Sequence, residues 1–187
     1  MISHHQRRPL FFRLINIGLQ VLTCLAVIVA TTVSFAQNNA SIEAEKLLKL
    51  GQELSERAHY LEALDLLEEA RDMLDASAAT DSGLYGDVLF SLAKSKIKGR
   101  IHQDFPAYYV KTALQDVQAA NKLREKLTGT LPQKLAEGYY LEGYIHKRFF
   151  MRNSLALECF VKAKNIDPGA VAAKRELSEL EASEDQK

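Results

Sequence analysis

The sequence predicts an all-α fold: about three antiparallel helical hairpins stacked as a short solenoid, closed by a C-terminal capping helix. Apolar residues recur at i, i+3/i+4 and i+7 over most of the chain beyond residue 40, the spacing of one helix face. Nine glycines and four prolines in 187 residues leave too few turns for a sandwich of short strands. A content of 47% hydrophobic and 26% charged residues belongs to a globular chain. Basic and acidic side chains balance at 24 each, which speaks against a dedicated nucleic-acid binder. Two cysteines can make neither a disulfide framework nor a four-cysteine zinc site.

Residues 1–36 are expected to lie outside the fold. Arg7, Arg8 and Arg13 precede Leu14–Ala36, which carries no charge. Val21–Ala30 has the length of a signal-peptide hydrophobic region, and Ser34-Phe35-Ala36 puts small residues at −3 and −1 of a cleavage site. An uncleaved anchor is the alternative, since Leu14–Ala36 is long enough to span a bilayer at about 1.5 Å per residue. The arginines then hold the N-terminus in the cytoplasm. Arg7-Arg8-Pro9-Leu10-Phe11 also loosely resembles a twin-arginine export signal. The expected location is periplasmic or secreted, or else tethered in the inner membrane with residues 37–187 outside the cytoplasm. Cys24 falls inside the export segment, which leaves Cys159 as a lone thiol. Its apolar neighbours Ala156, Leu157 and Phe160 predict burial.

After a short polar lead-in at 37–43, the repeat domain is expected over 44–182, with a polar tail at 183–187. The first hairpin, 44–75, carries Leu47, Leu48, Leu50 and Leu54, then Tyr60, Ala63, Leu64, Leu67, Ala70, Met73 and Leu74. Ser41 is its expected N-cap, with Glu43 and Glu45 in the first turn. The second, 84–123, pairs a helix over Leu84–Ile97 with one bearing Tyr109, Ala113, Leu114, Val117 and Ala120. An insertion around Lys98–Pro106 lengthens its connection. The third, 133–167, places Tyr140, Gly143, Tyr144 and Lys147 on one helix and Ala156, Phe160 and Ala163 on the next. One extra residue near Phe149-Phe150-Met151 leaves the register of its first helix open by one. Asp167 is expected to cap a last helix over 168–182, with Pro168 at the first helical position.

Leu47-x2-Leu50-Gly51-x2-Leu54 followed by Ala63-x3-Leu67-x2-Ala70 resembles a tetratricopeptide repeat. Ala156-x3-Phe160-x2-Ala163 with Asn165-Ile166-Asp167-Pro168 resembles the second helix and closing turn of the same family. Leu47 and Leu67 stand where the family often has a tryptophan and an aromatic, and Asp75 where it often has proline. The resemblance implies that the first helix of each repeat lines a concave groove. Phe90, Lys94, Lys98, Tyr140, Tyr144, Lys147 and Arg148 are the candidate groove residues. They suit an extended peptide with acidic residues or a free carboxylate. The alternative for the same residues is a solvated basic face with tyrosines packed between helices.

No catalytic signature accompanies this pattern. His59, His102 and His146 stand apart in the sequence, and no metal-ligand spacing, phosphate-binding loop or nucleophile elbow occurs. No cofactor or metal is expected. Charge is uneven: residues 41–76 carry a net −6 and residues 94–126 a net +5. The expected function is therefore a non-catalytic, protein-binding adaptor or scaffold of the cell envelope, with no nucleic-acid partner. Membrane contact is expected only through 14–36. The alternative is a membrane-tethered structural subunit that oligomerises through its repeats.

Overall fold

The computed structural model describes residues 37–184, together with residues 30, 31 and 35. The expected export segment lies almost wholly outside the described residues, as do residues 185–187 of the expected tail. The chain divides into two units, 1–39 and 40–187. Every described residue of the first unit is helical.

The second unit is all-α among the described residues, with helices α1 (40–56), α2 (Tyr60–Ala76), α3 (Gly83–His102), α4 (Tyr108–Lys126), α5 (Pro132–Phe150), α6 (Asn153–Ile166) and α7 (Val171–Glu184). Each helix from α2 onward packs on its successor. Ala44 and Leu48 of α1 share a core cluster with Leu64 and Leu67 of α2. Alternate helices also meet. Gln52 donates to Ser91 at 2.9 Å and Ser95 to Ser55 at 3.0 Å, joining α1 to α3. Helix α3 touches α5, and Lys147 of α5 bonds Glu176 of α7 at 2.7 Å. Helices α1, α3, α5 and α7 thus make one layer of the stack, and α2, α4 and α6 make the other.

Small residues set the spacing within each hairpin. A Cβ on Gly51 would lie 2.8 Å from Leu67 Cγ, and one on Gly143 2.7 Å from the Phe160 ring. Leu67 and Phe160 each follow the hairpin's alanine, Ala63 or Ala156, by four residues. The first and third hairpins therefore share one contact, which settles the register of the third. Its extra residue is absorbed in the last turn of α5, where Met151 adopts a left-handed φ of 54° and the N–H groups of Met151 and Arg152 both reach the His146 carbonyl.

Three boundaries depart from the expectation. Residues 37–40 are already helical, so Ser41 lies inside a helix rather than capping one; no glycine or proline interrupts this stretch. Helix α3 starts on Ser82, whose hydroxyl accepts the Tyr85 N–H at 3.1 Å, and runs on to His102 rather than ending at Ile97. Its extra turn is held because Gly99 leaves room for the Phe105 ring, and Arg100 donates to the Phe105 carbonyl at 2.7 Å. Asp167 terminates α6 instead of opening α7: its carboxylate accepts the Gly169 N–H at 2.8 Å, forming a turn through Pro168-Gly169. Helix α7 begins at Val171 and continues to Glu184, two residues into the expected tail.

Gly143→Ala is expected to lower stability by about 1–3 kcal/mol through overpacking against Phe160 and Cys159. Gly83→Ala, at an open position in the first turn of α3, should change it by no more than about 0.5–1 kcal/mol, toward greater stability. Urea midpoints of the two variants test the contrast.

Candidate functional site

Residues 87, 91, 94 and 98 recur at intervals of four, three and four along α3, so Asp87, Ser91, Lys94 and Lys98 share one face. That face forms the middle wall of a cleft of about 250 Å³ between α1 and α5. Gln52, Ser55 and Glu56 line it from α1, and Lys134 and Glu137 from α5. Its floor is polar. The α1–α3 seam is closed by buried serines and one glutamine rather than by leucines.

Arg124 reaches this cleft from α4. Its side chain is 4% exposed, and its guanidinium carbon stands 4.7 Å over the Phe90 ring. It donates to Asp87 at 2.7 Å and to the Lys134 carbonyl at 2.8 Å, while the Lys134 ammonium takes the other Asp87 oxygen at 2.6 Å. One carboxylate thus engages two cations. Lys94 and Lys98 differ, because neither forms an ion pair among the described residues. Burial lowers the Lys98 pKa, the neighbouring Lys94 charge lowers it further, and Glu56 opposes both. The cleft consequently presents two like charges one helical turn apart with no bonded counter-charge, an arrangement that an anionic group would relieve.

Of the candidate groove residues, Phe90, Lys94 and Lys98 come together in this cleft. The other four lie elsewhere on α5. Lys147 is held by Glu176 at 2.7 Å and Glu179 at 3.0 Å on α7. Tyr140 packs 5.9 Å from the Phe160 ring and 6.4 Å from Tyr144, among core residues that include Leu177. Arg148 is exposed. Helix α7 belongs to the same layer as α5 and places Glu176 and Glu179 against this part of it. Sequence reasoning missed Arg124 and Asp87. A signal was present, since Arg124 continues the inward spacing of Ala113, Val117 and Ala120 by one more turn. Lys96 is similar: a cation among buried positions of α3, it is matched by Asp116 at 2.7 Å.

The remaining reactive side chains are placed structurally. Cys159 is buried, and desolvation pushes its thiol up to about 12, far from a thiolate at neutral pH. His59 sits exposed at the α1–α2 turn, and His102 stacks on Tyr60 at 6.1 Å. His146 is buried beside Phe150, with its Nδ1 unpartnered. Among the described residues no group of three or more His, Cys, Asp or Glu could hold a metal ion, and no helix is long and apolar enough to cross a membrane. Comparison with known proteins gives no matching family model, no matching curated protein and no matching solved structure.

Burial lowers the His146 pKa below its ordinary 6.5, Arg152 adds to the effect, and Glu142 opposes it. The unfolded chain therefore takes up this proton first. The contribution of neutral His146 is complete above the ordinary pKa and is lost as pH falls through it toward the lowered value. Between about pH 7 and pH 5 the wild-type protein should lose stability relative to His146→Leu. Urea denaturation of both proteins at a series of pH values checks this.

Proposed function

We propose that this chain is an exported, non-catalytic adaptor of tetratricopeptide-repeat type that binds an extended, acidic segment of a protein partner. The observation that carries the reading is the cleft between α1, α3 and α5, with Lys94 and Lys98 lacking ion-pair partners beside the half-buried Phe90 ring. Lysine ammonium groups attract carboxylates at some distance and hydrogen-bond them on contact, while an aromatic edge and small hydroxyl side chains suit the remainder of a peptide. The N-terminal arginines and the uncharged stretch after them support export. Histidines held apart and a thiol kept protonated favour binding over chemistry.

The reading is tested with the full chain against a library of extended peptides. Acidic sequences should be enriched, and their binding should weaken with added salt. Lys94→Glu with Lys98→Glu should reduce affinity for them by about tenfold or more, with unchanged far-UV circular dichroism. Equal binding by wild type and the double variant would sink the cleft as the site.

A further inference from the structure

We propose that two copies of this chain pair through α1, side by side and antiparallel. Leu47, Leu50 and Leu54 follow one another at intervals of three and four, forming an apolar stripe. Leu50 is 50% exposed, and its two neighbours are half-buried. Gln52, which bonds α3, stands about 200° around the helix from Leu50. The face turned to α2 carries Ala44, Leu48 and Gly51, with Leu47 at its edge packed in part on the same core cluster, while Ser55 bonds Ser95 of α3. The stripe is therefore turned away from α3, on the first helix of the second unit.

Charge selects the occupant and its direction. In an antiparallel pair with Leu47 of each copy against Leu50 of the other, Lys46 of one copy comes within reach of Glu53 of the other, and the two-fold axis repeats the contact. Glu43 and Arg57 approach in the same way at the ends. Glu53 and Arg57 are exposed and form no ion pair among the described residues. Lys46 bonds Glu43 at 2.8 Å on an exposed surface, which is exchanged at little cost. A parallel pair instead sets Lys46 near Gly51 and leaves these charges unmatched. The surface is thus complementary to itself in one orientation, which is the requirement of a two-fold interface. A contact through a single helix face is small, so the pairing depends on concentration.

Sedimentation of the full chain in detergent should show a monomer–dimer equilibrium. Lys46→Glu places two like-charge contacts across the axis, and Glu53→Lys does the same with the opposite sign. Each alone should weaken association by about tenfold or more, with an unchanged thermal melt. Mixing the two variants, or combining both changes in one chain, restores opposite charges and should restore the dimer. A wild-type chain that stays monomeric overturns the proposal, whether its own first 36 residues or a foreign protein then covers the stripe. A dimer that persists in both single variants overturns it too, since association would then run through another surface. Failure of the mixed variants to associate overturns the antiparallel register.

Discussion

Gly51 and Gly143 fix the distance at which the two helices of the first and third hairpins meet, and the packing of those hairpins follows from that distance. A glycine inside a helix costs about 1 kcal/mol relative to alanine. Full burial of a leucine or phenylalanine side chain is worth about 1.5–3 kcal/mol. Gly51 and Gly143 leave the space that Leu67 and Phe160 fill, and both large residues are fully buried. The exchange is favourable at both sites. In the middle hairpin Ala93, Ala113 and Val117 lie in one core cluster, with a smaller filling residue and a helix seam tightened elsewhere by Lys96 and Asp116.

Helix α2 meets α3 through an apolar core of Leu67, Leu74, Val88 and Leu92, whereas α1, α3 and α5 are joined on their own side by polar groups. Gln52, Ser55, Ser91 and Ser95 join α1 to α3 through hydrogen bonds, and Asp87, Arg124 and Lys134 tie α3, α4 and α5 together. Arg124 is the pin: it leaves one helix, lies over an aromatic ring of a second and donates to the backbone of a third. The cost of burying its charge is offset by a carboxylate, a carbonyl and a ring face. The same polar residues line the cleft between α1, α3 and α5.

The hairpins were legible because apolar period and small-residue spacing act locally, and both survive into the fold. Boundaries set by a single side chain were not. Phe105 folding onto Gly99 extends α3 by a turn, and Asp167 bonding Gly169 delays α7 by three residues; each depends on a choice between two adequate caps. The extent of the cleft was legible only in part. Phe90, Lys94 and Lys98 followed from the family resemblance, which sets first helices along a groove, whereas the loss of Lys147 to Glu176 and Glu179 depends on where α7 docks, which no local pattern encodes. Arg124 and Asp87 lie 37 residues apart in sequence, and only tertiary packing brings them together.

Among the described residues the two ends of the stack are finished differently, and the pairing proposed for α1 turns on charge. Helix α7 turns Leu177 and Leu180 inward and exposes Lys174, Arg175, Ser178 and Glu179, the polar outer face of a capping helix. At the N-terminal end Leu50 remains exposed, within a hairpin whose net charge is strongly negative. That excess could be expected to drive two copies apart. It resides mainly on α2, where Glu62, Asp65, Glu69 and Asp72 are all exposed, whereas α1 interleaves Lys46 and Lys49 with its glutamates. At a Debye length of about 8 Å in physiological salt, the α2 charges are largely screened beyond one helix diameter. The contact charges beside the leucine stripe then decide the outcome, and along α1 they alternate in sign.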